Sequence, residues 1–285
     1  MTLTRMLKTV VICGAVLLPA RVARAQQAPP PVQPAAPARD PDQNLDALQP
    51  DFTISALPTT LRLPRFKGAF RVTHRFGRPL GSGSFGDLAA DFFSLDSSAQ
   101  IGLEYRFGLM RGLQGGIYRT NDRTIEFFAE RNLMQQSASR PLGLSAFAAI
   151  DGTNNFRDSY SPALGAIVSR KVGRLAALYV EPIWVNNANP LPSEIVDRND
   201  SFLIGVGGRI RVRRTVYVIA EGAPRLAGFD PGRAHMAAGI EKLVGGHVFQ
   251  LNVSNGVGTT IGQVARGGSR TDWHLGFNIT RKFWR

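Results

Sequence analysis

Charged side chains recur at every second position of otherwise apolar segments, and this spacing is where chemistry could reside. In residues 66–76, Lys67, Arg71, Thr73 and Arg75 alternate with mostly apolar neighbours. Successive side chains of a β-strand point to opposite faces, so such a segment has one charged face and one apolar face. The same alternation along the chain predicts one shared polar face, formed by Arg71, Arg75, Glu104, Arg106, Glu126, Glu130, Arg209, Arg211, Glu221 and Glu241.

Two interpretations fit this polar face if it lines the lumen of a barrel. The residues either form a charged constriction that selects solutes, or they pair across adjacent strands and fill a closed lumen. About twelve strands enclose an interior between that of a filled eight-stranded barrel and that of an open sixteen-stranded porin. In either case, a loop over residues 77–98 could fold inward.

The remaining reactive residues do not form a recognisable catalytic or metal-binding pattern. His74, His235, His247 and His274 include no closely spaced pair, so we expect no metal site and no cofactor. A hydrolytic site needs a serine and a base within hydrogen-bond reach. Ser254 and His247 lie seven residues apart on one expected strand, which separates them by over about 20 Å. We therefore expect no catalytic residues, while a site assembled across strands stays open.

Twelve amphipathic segments can supply the polar face, and their connections are short and long in turn. Tight turns are expected near 109–111, 173–174, 213–215 and 245–246, with long polar loops between them. This rhythm is typical of bacterial outer-membrane barrels. Asn121-Asp122 is an exception, too short for a typical outer loop but suited to a tight hairpin. The expected strands cover residues 65–76, 99–108, 112–120, 123–133, 142–151, 162–172, 174–185, 201–213, 215–223, 234–244, 246–254 and 272–283.

The sequence therefore predicts an all-β fold, an antiparallel up-and-down transmembrane β-barrel of about twelve strands. In lipid, every backbone N–H and C=O needs an internal partner, and a closed sheet provides one. The alternative is a soluble β-sandwich or ligand-binding barrel, whose buried positions would be denser in large aliphatic residues. In a membrane barrel, the interfacial aromatic girdles would include Tyr105, Tyr179, Trp184, Trp273 and Trp284.

The N-terminal region predicts export to the outer membrane of a Gram-negative bacterium. Residues 1–25 combine a basic start, a short apolar stretch and the cleavage pattern Ala23-Arg24-Ala25, so we expect removal near Ala25. Residues 26–64 are expected to form a Pro-rich periplasmic segment, whose last part, 51–64, packs at the barrel mouth. The barrel itself is expected over residues 65–285.

The net charge and the cysteine content limit the kinds of binding partner and chemistry that we expect. The net charge is +13, and four of the positive charges lie in residues 1–25, which contain no acid. The remaining +9 suits contact with anionic lipid head groups or attraction of a small anionic solute. No nucleic-acid-binding motif accompanies it, so we expect no nucleic-acid partner. Cys13, the one cysteine, lies in the expected signal, which excludes disulfides and thiolate chemistry from the mature chain.

Several short motifs resemble an uncharacterised bacterial outer-membrane β-barrel family, a domain of unknown function. They are His74-Arg75-Phe76-Gly77, Phe92-Phe93-Ser94-Leu95-Asp96, Ile101-Gly102-Leu103-Glu104-Tyr105, Gly239-Ile240-Glu241-Lys242 and Gly245-Gly246-His247-Val248-Phe249-Gln250-Leu251. The resemblance covers about residues 60–283 and implies an outer-membrane barrel, without an established substrate or catalytic residues. Outer-membrane proteins of this kind commonly end in an aromatic-terminated strand that the barrel-assembly machinery reads, and residues 272–283 resemble one.

Three functions follow from these observations. The first is a narrow channel or small-solute binding barrel with an Arg/Glu-lined lumen. The second is a closed structural or interaction barrel that acts through its loops or its Pro-rich segment. The third is an outer-membrane lipid hydrolase, which the lack of a workable Ser/His pair disfavours.

Overall fold

The computed structural model describes residues 41–44, 46–91, 98–189 and 199–284 of the 285-residue chain. The expected signal at 1–25, the Pro-rich stretch up to residue 40 and the Phe92–Asp96 motif lie outside the described residues. Among the described residues, no helix has the length and apolar character needed to cross a bilayer.

Within the described residues, thirteen strands form one antiparallel sheet, and twelve of them match the expected strands to within three residues at each end. They are β1 Gly68–Phe76, β2 Ala99–Met110, β3 Leu113–Thr120, β4 Ile125–Met134, β5 Gly143–Gly152, β6 Tyr160–Val172, β7 Ala176–Val185, β8 Ser201–Arg213, β9 Val216–Ala223, β10 Arg225–Gly228, β11 His235–Val244, β12 His247–Ser254 and β13 His274–Lys282. The predicted fold class, a twelve-stranded up-and-down barrel, is confirmed.

The sheet closes on itself because each of the twelve barrel strands has a neighbour on both sides. The first strand, β1, pairs with β2 and with the last strand, β13, and β8 pairs with both β7 and β9. Closure leaves the barrel wall without a free edge, so ladder partners satisfy the backbone polar groups, as a lipid environment requires.

The two ends of the barrel differ in their connections. At the turn end, β2–β3, β6–β7, β8–β9 and β11–β12 are joined by tight turns, where Gly173 and Gly245 adopt φ of 54° and 57°. Glycine meets this left-handed conformation without steric cost. The connection 135–142 is longer than the other turns at this end. The opposite end, the loop end, carries the long connections.

The loop end contains the elements that the sequence analysis missed. Strand β10 lies in the expected loop 224–233 and pairs with β8 where β9 stops. Pro224 separates β9 from β10, and a proline has no N–H to give to a ladder. Two short helices also lie in expected loops, α1 over Phe85–Ala90 and α2 over Ile261–Ala265.

The barrel wall has an apolar outer surface and a polar inner surface. Outward side chains such as Leu103, Phe127 and Leu178 are about half exposed, whereas inward Arg75, Glu130 and Arg209 are each 1% exposed. This arrangement is the reverse of a soluble barrel, and it is what a wall between lipid and a polar interior requires.

Two of the five expected girdle aromatics do not face outward. Tyr105, Trp184 and Trp273 are partly exposed, with 45%, 38% and 38% of their surface accessible. Tyr179 is 2% exposed because the register of β7 turns it inward, opposite Gly207 of β8. Trp284 is 6% exposed and packs beside Phe52, with ring centroids 6.3 Å apart. The girdle assignment is therefore wrong for Tyr179 and Trp284.

Candidate functional site: a filled lumen

The barrel interior is occupied by the chain segment that precedes β1. Residues 48–63, named here the inner hairpin, enter at the turn end, reverse direction at residues 54–57 and return to the turn end. The Ile54 amide donates to the Leu57 carbonyl at 2.8 Å, and Thr53 bridges to Pro58. Every residue of the hairpin except Arg62 is buried.

The expected domain boundary at residue 65 needs correction for this reason. Residues 48–64 belong to the barrel interior instead of a periplasmic segment or a packing element at the mouth. The sequence signal was present but short: Phe52, Ile54, Leu57 and Leu63 supply apolar side chains that a solvated tether does not need, and each is at most 2% exposed.

One wall carboxylate, Glu221 of β9, binds the tip of the inner hairpin. It accepts hydrogen bonds from the amides of Ser55, Ala56 and Leu57 at 2.8, 2.9 and 3.1 Å. It also contacts Nε2 of His235 on β11 at 3.0 Å. A carboxylate that receives several donors in a buried site forms strong, charge-assisted hydrogen bonds. Glu221 is therefore the main anchor of the hairpin tip.

The loop end is closed by a second segment, residues 255–266, named here the outer cap, which contains α2. The Thr260 hydroxyl donates to Asp151 of β5 at 2.6 Å, and the Ile261 amide donates to Glu126 of β4 at 2.7 Å. Tyr118 of β3 lies within hydrogen-bond distance of Thr259 in the cap, at 2.7 Å. The loop 77–98, which could have folded inward, is half-buried or exposed over residues 77–87 and 89–91.

The cap is held at its rim by a charged group outside the strands. Gln263 Nε2 donates to Asp122 Oδ2 at 2.9 Å. Burial raises the pKa of Asp122, but hydrogen bonds from Thr120 and Thr124 outweigh it, so this pKa lies below its usual range. Asp122 is therefore an ionised acceptor for the cap at neutral pH.

The inner hairpin and the outer cap meet inside the barrel. Ile54 and Leu57 of the hairpin belong to the same buried apolar cluster as Ile261 and Val264 of the cap. A cavity of about 20 Å³ lies between the two segments, which is roughly the space of one water molecule. Between the hairpin and the cap, the described lumen is thus packed, and a larger cavity of about 170 Å³ lies at the turn end beside Gln49, Thr60 and Ser169.

Opposite charges pair along the wall around this filling. Glu104 contacts Arg71 at 2.7 Å and Arg106 at 3.0 Å, and Arg106 lies 3.6 Å from Glu130. On the other side of the lumen, Arg209 and Glu241 form a pair at 2.9 Å in which both side chains are fully buried. Buried charges of this kind require partners because desolvation is costly.

The structure therefore buries nine of the ten expected lumen residues on the inner wall. They are Arg71, Arg75, Glu104, Arg106, Glu126, Glu130, Arg209, Glu221 and Glu241. Arg211 shares this inward face, because it is the cross-strand neighbour of the buried Tyr217 of β9. It is only half-buried because it lies at the turn end, where its guanidinium donates to the carbonyl of Arg214 at 2.9 Å. The register of β8 shifts between Arg211 and Arg213, which ends the regular alternation there.

Two inward carboxyls were missed because each lies in a mostly apolar strand. Asp151 of β5 is the cross-strand neighbour of Glu126. Glu181 of β7 is fully buried, and neither of its carboxyl oxygens has a hydrogen-bond partner among the described residues. Once the inward orientation of Tyr179 is known, two-residue alternation along the strand identifies Glu181 as inward-facing too.

One of the four histidines, His274, lies beside Ser254, and the other three lie elsewhere in the barrel. His74 stacks on Phe277 with centroids 4.9 Å apart, and the His247 ring contacts Arg281 at 2.9 Å. Ser254 is the cross-strand neighbour of His274. The Ser254 hydroxyl donates to the Gly256 carbonyl at 2.6 Å, and His274 Nδ1 contacts the Phe76 carbonyl at 2.9 Å. These bonds are not those of a serine activated by a base.

A closed sheet with an apolar outer wall and a polar, protein-filled interior defines a membrane β-barrel with an internal plug. The chain belongs to the family described as a membrane bound beta barrel domain (DUF5777), whose model matches residues 52–283. This confirms the resemblance inferred from the motifs. Because the match begins at residue 52, most of the inner hairpin is part of the family domain.

Solved structures with a similar fold include two channels and one enzyme. The KdgM porin in complex with disordered oligogalacturonate is 7% identical, with 76% of this chain and 99% of that chain covered and a TM-score of 0.47. The COG4313 outer membrane channel from Pseudomonas putida F1 is 12% identical, with 78% and 97% covered and a TM-score of 0.48. Outer membrane phospholipase A from Escherichia coli is 10% identical, with 76% and 90% covered and a TM-score of 0.43. Comparison with curated protein sequences finds no match.

Proposed function

We propose that this protein is an outer-membrane channel for small solutes that is closed by its own inner hairpin. The observation that supports the proposal is the way the hairpin is held. Charged and polar wall side chains bond to it, and water can replace the hairpin as a partner for each of them. Displacement of the hairpin would leave a hydrated lumen lined by arginine and glutamate, which is suited to solute passage.

The direction of hairpin entry also favours a gate. The two ends of the hairpin lie at the turn end, where the Tyr217 hydroxyl donates to the Ala47 carbonyl and the Leu63 amide donates to Gln114. In the proposal, the chain is exported, cleaved near Ala25 and inserted among outer-membrane lipids by the barrel-assembly machinery. The turn end then faces the periplasm, where the hairpin can withdraw without crossing the barrel.

A second candidate function is a permanently closed barrel that acts through its loops or its N-terminal segment. The specific observation in its favour is the apolar cluster that joins the hairpin, the cap and the wall. Ile54, Leu57 and Ile261 are each at most 3% exposed. Withdrawal of the hairpin would expose part of this apolar surface to water, which costs about 25 cal/mol of free energy per Å². Neither candidate is an enzyme.

Leu57→Asp separates the two functions. Leu57 is fully buried, and an ideal Cβ placed on Gly205 would come 3.0 Å from Leu57 Cδ1 and 3.2 Å from Glu181 Oε2. An aspartate at position 57 would therefore bring a carboxylate close to an unpartnered one, which destabilises the docked hairpin without altering the wall. In planar bilayers, we expect a silent wild-type barrel and stable, salt-dependent conductance steps for Leu57→Asp.

Leu175→Asp is the matched control, because Leu175 is 59% exposed in the β6–β7 turn. It makes the same chemical change away from the hairpin, and we expect it to stay silent. Heat-modifiable migration on a gel verifies that each variant is a folded barrel. A folded Leu57→Asp barrel that conducts no current would refute the channel and favour the closed barrel.

A further inference from the structure

The first arm of the inner hairpin, residues 50–55, is bound to the wall almost entirely through its oxygen atoms. Asn278 Nδ2 donates to the Ser55 carbonyl at 3.0 Å, and the Thr280 hydroxyl donates to Asp51 Oδ2 at 2.8 Å. Lys282 Nζ donates to the Pro50 carbonyl. These three donors are alternate residues of β13, so they form a row along one strand.

Neighbouring strands extend this row of donors. Arg71 Nη1 donates to the Thr53 hydroxyl at 2.6 Å, and Arg75 Nη2 donates to the Ser55 hydroxyl at 3.1 Å. On the adjacent strand β12, Gln250 Nε2 donates to the Ile54 carbonyl at 2.6 Å, and farther along the wall Arg209 Nη2 of β8 donates to the Thr53 carbonyl at 2.7 Å. The wall on this side is therefore a surface of buried hydrogen-bond donors.

The donor surface carries more positive charge than its wall partners neutralise. Arg71 and Arg209 are paired with Glu104 and Glu241. Arg75 and Lys282 have no carboxylate within salt-bridge distance among the described residues, and both are at most 2% exposed. Their hydrogen bonds go to Asn278, a backbone carbonyl and the hairpin itself. The hairpin brings one carboxylate to this surface, that of Asp51, so a solute with negative charge can take the same place.

We infer that the hairpin arm stands in for the transported solute, and that this surface binds an elongated, oxygen-rich anion of the polyhydroxylated carboxylate class. The inference rests on the proposed function, because the surface opens only when the hairpin withdraws. Residues 50–55 span up to about 17 Å in extended form. A compact anion such as phosphate would meet only one part of such a row, whereas a chain of hydroxyls with a carboxylate meets several donors at once.

The test uses full-length Leu57→Asp barrels in planar bilayers and three solutes of similar size. Gluconate is the anionic probe, sorbitol is the neutral one and N-methylglucamine is the cationic one. We expect gluconate to block the current at a concentration at least tenfold lower than the other two. Glu221→Ala, which loosens the hairpin from the wall side, serves as a second opened channel if Leu57→Asp does not yield a heat-modifiable barrel.

Substitutions of the donors locate the site. Arg75→Gln or Lys282→Gln in the opened channel should raise the half-blocking concentration of gluconate about tenfold, since each removes one charged hydrogen bond. Arg211→Gln is the matched control, because the Arg211 guanidinium bonds to the Arg214 carbonyl of the turn, and it should leave the block unchanged.

The outcomes separate the two proposals. A conducting Leu57→Asp channel that gluconate blocks no better than sorbitol overturns the binding surface and leaves the gated channel intact. Block that is insensitive to Arg75→Gln and Lys282→Gln also overturns the assignment. Opened variants that fold but do not conduct overturn both proposals.

Discussion

Glu221→Ala should release the tip of the inner hairpin. The substitution removes the acceptor for three consecutive amides, of Ser55, Ala56 and Leu57, and the contact with His235. Loss of one partner from a buried, charged hydrogen-bond network costs about 3–5 kcal/mol. Since about 1.4 kcal/mol changes an equilibrium tenfold, the docked hairpin should become less favoured by two to three and a half powers of ten.

Single-channel recording measures this shift as open probability, and limited proteolysis of residues 46–64 measures it independently. Glu221→Gln retains one acceptor oxygen at similar volume, and it should fall between the wild type and Glu221→Ala. Both variants should keep the barrel, which heat-modifiable migration verifies. A Glu221→Ala barrel whose hairpin is as protected from protease as that of the wild type would refute the assignment of Glu221 as the anchor.

Two further predictions concern the cap and the base of the plug. Gly262→Ala should displace the outer cap, because an added Cβ would lie 2.4 Å from Asp151 Oδ2. Proteolysis should then increase at residues 255–266 and remain unchanged at the hairpin. If the cap is equally protected from protease in the wild type and in Gly262→Ala, the close approach is contradicted. Trp284→Ala should destabilise the barrel by about 3–5 kcal/mol, whereas Trp273→Ala, at a partly exposed position, should destabilise it less. If thermal unfolding shows equal losses of stability for the two variants, the burial of Trp284 beside Phe52 does not contribute to stability.

The sequence predicted the barrel wall well because each strand carries its own signal. Two-residue alternation is local, so the strand containing Arg71 and Arg75 could be placed without knowledge of its neighbours. Where alternation was absent, the inference failed. Residues 174–185 are apolar on both faces, and the inward direction of Tyr179 depends on pairing with β8.

The filling of the lumen could not be predicted in the same way. The inner hairpin has no periodic pattern, and its conformation depends on partners more than 150 residues away in sequence, as in the contacts of Ser55 and Leu57 with Glu221. The sequence reasoning identified Glu221 as inward-facing but could not identify its ligand. Such long-range contacts decide whether a charged wall surrounds water or protein, and they cannot be inferred from the residue pattern of a single sequence.

The hairpin also contacts both strands of the seam where the first barrel strand, β1, pairs with the last, β13. Arg71 on β1 bonds to Thr53, and Thr280 on β13 bonds to Asp51, while β1 and β13 pair directly with each other. Those two strands can meet only after the entire chain is available, since one begins the barrel and the other ends it. The hairpin precedes β1, so it is present before the seam forms and offers both strands the same set of acceptors. The segment that blocks the lumen therefore also connects the first and last strands of the wall, and its bonds to Arg71 and Thr280 favour the register in which these strands pair.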